Sequence, residues 1–120
     1  MCWVRRMEFK DIKEFESNYS QGKLKVRIME LTNGTLILLS DSDTFRLGQS
    51  AVAIPPGHGR SEPTSTGLFS TGIDSTPVRT IAERVAIFTN QTAMVVVGIK
   101  EITQSVMMEI VLILKNHFVV

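Results

Sequence analysis

Gly57-His58-Gly59 is the segment of this chain that most invites a catalytic reading, as a phosphate loop or a histidine base. A phosphate loop needs successive backbone N–H groups leading into a helix, usually with a lysine. Here the glycines follow Pro55 and Pro56 and lead toward strand residues, and no Gly-Lys-Ser/Thr follows. The segment reads as an exposed loop. The second histidine, His117, falls in the last turn of a helix, where a cation or a C-terminal cap is favourable, so its reading is structural. Asp41, Asp43 and Asp74 do not form the run of oxygen ligands that a divalent cation requires, and turn and capping roles account for each. Ser61, Ser65 and Ser70 lack the Gly-x-Ser-x-Gly elbow of a hydrolase nucleophile. Cys2 sits beside Arg5 and Arg6, which favour a thiolate, but a chain terminus is a poor platform for catalysis. The Met107-Met108 pair reads as core filling, with a binding groove as the alternative. Residue types and spacing thus assign no catalytic group, cofactor site or metal site.

Composition points the same way. The chain has 120 residues, enough for one core, and is read as a single domain over 1–120 in which residues 1–6 form a possible extension before Met7. With 43% apolar and 21% charged residues it is ordinary for a globular protein. Thirteen basic against twelve acidic residues give a formal charge of +1, too balanced for a nucleic-acid module that lives on phosphate contacts. The single cysteine excludes an intrachain disulfide and a thiolate cluster. The apolar run Ile110–Leu114 is far short of the ~20 residues of a membrane span. A soluble, cytoplasmic protein without membrane or nucleic-acid partners is the expectation.

The elements that must position any site are best defined between 78 and 99. Val78, Ile81, Ala82, Val85 and Phe88 recur at three- and four-residue steps and line one side of a helix. After the polar turn Thr89-Asn-Gln, a strand follows in which Met94 and Val96 point one way and Ala93, Val95, Val97 and Ile99 the other. A strand apolar on both faces must be covered on both. Ser75 and Pro77 open the helix, predicted over 76–90 with its strand over 92–99. Thr103 caps a second helix, predicted over 104–118 with Val106, Met107, Ile110, Val111 and Leu114 inward.

Earlier in the chain, Phe9, Ile12 and Phe15 at three-residue spacing suggest a helix over 7–17, with a twisted edge strand as the alternative, and Asn18 to Gly22 reads as a turn. Leu24, Val26 and Ile28 alternate with Lys25 and Arg27 as in a half-buried strand. Asn33-Gly34 marks a hairpin through its tolerance of positive φ. Leu36 to Leu39 returns as a strand apolar on both faces, Phe45 to Ile54 supplies another, and Thr64 to Phe69 follows the breaker-rich loop 55–63. Several strands, a helix, a strand and a helix predict an α+β fold with a mainly antiparallel sheet.

The order of these segments resembles a known family. Arg27-Ile-Met-Glu-Leu-Thr32, Leu36-Ile-Leu-Leu39 and Ser50-Ala-Val-Ala-Ile54 resemble the first half of the proteasome-assembling chaperone 4 family. Pro63-Thr-Ser-Thr66 resembles its Pro-x-Ser/Thr-Thr strand. Ile81-Ala-Glu-Arg-Val85, Thr89-Asn-Gln-Thr92 and Val95-Val-Val97 look like its helix, polar turn and last strand. The resemblance runs from about 24 to 114; the loop 55–59 and the Val97-Gly-Ile99 strand end depart from the pattern, and the related third chaperone shares the fold. The resemblance implies a non-enzymatic chaperone with a six-stranded antiparallel sheet and two helices, which works as a homodimer or as a heterodimer with a related chaperone and holds α-type proteasome subunits while the α-ring forms. His58, Arg60 and Glu62 are the expected partner-binding residues, and Leu36, Leu38, Met94 and Val96 the dimer or core residues of the sheet. Two other functions are weighed against this one: a small-ligand-binding protein or enzyme using the 55–66 loop with His58, Arg60 and Ser65, and a structural adaptor subunit.

Overall fold

The computed structural model describes residues 11–57, 61–69 and 75–119. Six strands form one sheet: β1 (Ile12–Tyr19), β2 (Gly22–Leu31), β3 (Gly34–Ser40), β4 (Gln49–Ile54), β5 (Thr64–Phe69) and β6 (Thr92–Gly98). Two helices accompany them, α1 (Thr76–Thr89) between β5 and β6 and α2 (Gln104–Phe118) after β6. The strand order is β1-β2-β3-β6-β4-β5. The fold is α+β with a mostly antiparallel sheet, as expected. The β3–β6 pairing alone is parallel, which departs from the all-antiparallel sheet that the resemblance implies. The two strands whose sequences are apolar on both faces are thereby placed side by side at the centre of the sheet, the position where both faces of a strand are most shielded.

Both helices lie on the same face. Leu24, Val26 and Ile28 of β2, Ile37 and Leu39 of β3, Ala51 and Ala53 of β4, and Ala93, Val95 and Val97 of β6 form one buried cluster with Val78, Ile81, Ala82, Val85 and Ala86 of α1 and Val106, Ile110 and Leu114 of α2. The small side chains of β4 (Ala51, Ala53) and β6 (Ala93) sit where α1 crosses the sheet, and α2 packs along α1 and reaches β1. At ~25 cal/mol per Å² of apolar surface removed from water, this one layer is the main source of stability.

Several local expectations are corrected. Residues 12–17 are not helical; they belong to the edge strand β1, paired with β2 from Ile12 opposite Met29 to Tyr19 opposite Gly22. Phe15 faces the helix layer beside Val26, and the three-residue spacing of Ile12 and Phe15 reflects residues on opposite faces of a strand rather than one side of a helix. Met7 to Phe9 lie outside the described residues. The predicted turn at 18–22 shortens to Ser20 and Gln21.

The hairpin at Asn33-Gly34 is present, but for another reason. Leu31 pairs with Gly34, so Thr32 and Asn33 form the turn, and neither Asn33 nor Gly34 has a positive φ. Gly34 is required by closeness instead: a Cβ there would stand 2.5 Å from the Thr92 carbonyl oxygen of β6. The strand predicted over 45–54 begins only at Gln49, and Phe45 belongs to the preceding loop.

Helix caps are divided as well. Thr103 accepts a hydrogen bond from the Val106 N–H at 3.2 Å, as expected for an N-cap. Ser75 does not cap with its side chain; its backbone is already helical, and its carbonyl accepts from the Arg79 N–H at 3.0 Å. Asn90 ends α1 in the left-handed conformation, a common way for a helix to close. Among the described residues no helix is long and apolar enough to cross a membrane.

Candidate protein-interaction face

The sheet face opposite the helices carries apolar residues that no described helix covers. Directly opposed residues of neighbouring strands share a face, so the register reads off continuous rows. One row runs across the whole sheet as Ile12, Met29, Leu36, Met94, Val52 and Thr66. The next runs Glu14, Arg27, Leu38, Val96 and Ser50. The first row is apolar over five strands and ends in a threonine on the β5 edge. No described helix lies over it, and Leu36, Leu38, Met94 and Val52 are only half-buried. Val96 is 4% exposed, shielded at the centre of the sheet between Leu38 and Ser50. All four sheet residues singled out in the sequence, Leu36, Leu38, Met94 and Val96, therefore stand together on this face.

The second row turns charged toward β1. The Arg27 guanidinium donates to Glu14 Oε2 through Nε at 2.9 Å and Nη2 at 2.7 Å, and Lys25 Nζ lies 3.2 Å from Glu14 Oε1. These hydrogen bonds, from Arg27 first and Lys25 second, hold the Glu14 carboxyl below the usual carboxylate range. Phe45 sits over the same two cations, with its ring centroid 4.7 Å from Arg27 Cζ and 5.7 Å from Lys25 Nζ. The cations of β2 are thus fixed as a polar margin to the apolar rows, which is the anatomy of an interface with an apolar core and a polar rim.

The residues that could have done chemistry are placed elsewhere. Ser65 donates to Glu83 of α1 and accepts from Arg79 Nε at 3.1 Å, so its hydroxyl ties β5 to α1. Asp41 Oδ2 accepts from the Lys100 N–H at 3.0 Å and closes the loop after β3, a structural role as expected. His117 makes no side-chain hydrogen bond among the described residues and so does not cap its helix, where the Val119 N–H donates to the Lys115 carbonyl at 2.8 Å. Its ring instead stacks on Phe15 of β1, with centroids 5.1 Å apart and 19° between planes, and meets Phe118 edge-on. Burial disfavours the imidazolium and lowers its pKa, the Lys13 charge adds to this, and Glu30 opposes it. Of the expected partner-binding residues, Glu62 is exposed, while His58 and Arg60 lie outside the described residues, as do Cys2, Ser70 and Asp74. Among the described residues no three His, Cys, Asp or Glu side chains converge as metal ligands.

Comparison with known proteins follows from this architecture. No family matches by sequence and no curated protein does. Among solved structures, a chain of the crystal structure of a novel chaperone complex for yeast 20S proteasome assembly superposes with a TM-score of 0.57 at 16% identity, covering 91% of this chain and 89% of that one. This chain shares its fold with that chain of the complex. The likeness extends over nearly the full length of both chains, so it includes the sheet and both helices rather than one supersecondary unit.

One feature of α2 goes against the preferred reading of its sequence. Met107 packs against the core, but Met108 is 61% and Leu112 57% exposed, so Met108 is not core filling. The run Val106 to Leu114 is apolar almost all round, and a helix of that kind has a second face to cover. That was the available signal.

Proposed function

We propose that this protein is a non-enzymatic chaperone of 20S proteasome assembly, a member of the proteasome-assembling chaperone 4 family, which binds α-type subunits while their ring forms and works as a dimer. The reading rests on one observation above others: end-to-end likeness of fold to a chain from a chaperone complex of yeast 20S proteasome assembly. The row from Ile12 to Val52 supports the dimer, because an apolar layer without its own helices is what an obligate interface leaves on each partner. A second copy or a related chaperone would lay its own sheet against this one, with Leu36, Leu38, Met94 and Val96 at the centre and the Glu14–Arg27–Lys25 cluster at the margin. His58, Arg60 and Glu62 would then contribute polar contacts to the α-type subunit. No chemical step is required: binding energy and shape do the work.

The test is affinity capture of the tagged full chain from native cell extract, with identification of what is retained. Recovery of α-type proteasome subunits supports the proposal. Recovery of another complex without them would make the protein an adaptor, and a retained metabolite would return attention to the 55–66 loop.

A further inference from the structure

The helix layer carries a second surface, on the opposite side of the molecule from the sheet rows, and its argument does not depend on the function proposed above. Where α1 and α2 lie side by side they leave an open groove of about 730 Å³. Its floor is apolar: Phe88 from α1, and Met108, Val111 and Leu112 from α2. A small molecule bound here would remain largely in water, whereas ligand pockets usually bury most of their ligand. The groove extends along α2 from Ser105 to Lys115, a rise of ~15 Å at 1.5 Å per residue. That length takes side chains at positions i, i+3 or i+4, and i+7 of a docked helix, which span ~10 Å. Methionine suits such a role because its flexible, polarizable side chain adapts to a partner's shape.

Charge narrows the occupant further. Arg84 and Lys115 stand at the margins of the groove, exposed and without an ion pair or hydrogen bond from their side chains among the described residues. The one acid there, Glu109, is already engaged: its carboxylate accepts from the Ser20 N–H at 2.9 Å and the Ser20 hydroxyl at 2.6 Å, which ties α2 to the β1–β2 turn. Those donors are neutral and leave the Glu109 charge in place, but two cations against one carboxylate still give the lining a net positive charge. We infer that the α1–α2 groove binds an amphipathic helix of a partner protein, whose apolar stripe seats on Phe88, Met108, Val111 and Leu112 and whose flanking carboxylates pair with Arg84 and Lys115.

The experiment uses the full chain and two labelled synthetic peptides of about fifteen residues. Both carry leucines at i, i+3, i+4 and i+7; one has glutamates on the flanks and the other lysines in the same places. Fluorescence anisotropy at low salt is expected to show the glutamate peptide binding about ten-fold more tightly or better, with the gap closing as salt rises. Met108→Asp/Leu112→Asp changes exposed positions and is expected to keep the circular dichroism of the native fold while losing at least about ten-fold in peptide affinity. Arg84→Glu/Lys115→Glu should reverse the preference toward the lysine peptide. Equal binding of both peptides, no binding of either, or indifference to the Met108/Leu112 change would overturn the inference. So would a self-association of the native chain that this double change abolishes, which would make the occupant a second copy. Recruitment to anionic phosphatidylserine vesicles in place of peptide binding would assign the groove to a lipid surface and equally overturn it.

Discussion

Val95 and Val96 are neighbours in one strand, yet they face surfaces with different histories. Val95 points into a layer that the chain closes by itself, against α1 and α2, and is fully buried. Val96 points into rows of apolar side chains that no described helix covers. The first face explains why the chain folds, since its cluster joins both helices to the central strands. The second does not need to exist for folding: polar residues at Leu36, Met94 or Val52 would leave the helix-covered core unchanged. Apolar residues in that position are the surface that the proposed pairing would cover.

The largest effect should come from attacking the self-closed face. Val95→Asp places an unpaired carboxylate among Ile37, Ala51 and the helices, with no water to solvate it. The expected cost is ~3–5 kcal/mol or more, against a total stability of ~5–15 kcal/mol for an ordinary domain. The variant should be unfolded or molten at room temperature by near-ultraviolet circular dichroism. A cooperative melt near that of the native protein would show that this layer is not the core.

Next in size is the uncovered face. Leu36→Asp/Met94→Asp changes two half-buried, adjacent positions of one row, where a carboxylate can reach solvent in the isolated chain but not in a sheet-to-sheet dimer. If the native protein pairs through this face as proposed, the expected result is a folded monomer in place of the dimer, with dissociation shifted by at least about a hundred-fold. Analytical ultracentrifugation across dilution reads it directly. If the native chain is already monomeric at micromolar concentration, or the double variant remains dimeric, the proposed pairing through this face fails.

The two faces also differ in how far the sequence reveals them. Alternation in Leu24 to Ile28, the two-sided apolar strands at 36–39 and 92–99, and the stripe Val78 to Val85 are local patterns imposed by strand and helix geometry, and each finds its place in the fold. The row from Ile12 to Thr66 is not local. It depends on β3 pairing with β6 across the intervening β4, β5 and α1, and no periodicity encodes which strands become neighbours. Ile12 and Phe15 misled for a related reason: on an edge strand only some positions are buried, and three-residue spacing that places two residues on opposite faces also fits one side of a helix. His117 was placed by tertiary packing on Phe15, which a helix-end argument cannot anticipate. Met108 and Leu112 were hidden by excess rather than lack of signal, since almost every residue of that helix segment is apolar.

A smaller effect tests the seam between the helix layer and β1. His117 has a lowered pKa in the fold, from burial first and Lys13 second, relative to an ordinary value of 6.5. The unfolded chain therefore binds more protons than the folded one below that value. The contribution of this group to stability is complete above pH 6.5 and is lost as pH falls toward the lowered value. His117→Phe keeps an aromatic ring against Phe15 and removes the titration. Its melting temperature should fall less than that of the native protein between about pH 7.5 and 5.5. Parallel losses in the two proteins would mean that His117 does not titrate at this seam.

The smallest effect on stability is expected at the loop between β4 and β5, and there the comparison of faces is sharpest, because function and stability should separate completely. Pro55 and Pro56 cannot donate to a sheet ladder, and of the loop's described residues Gly57, Ser61 and Glu62 are exposed. Removing Gly57 to Glu62 in favour of a short glycine linker should move the melting temperature by no more than ~2 °C. Binding to α-type subunits should nevertheless weaken, and the native protein's advantage should shrink as salt rises if charged contacts of Arg60 and Glu62 steer the encounter. Melting and subunit binding at low and high salt are measured on the same two proteins. Lost stability with unchanged binding would make the loop a strap of the fold, and partner recognition would then have to come from the sheet rows or the helix layer alone.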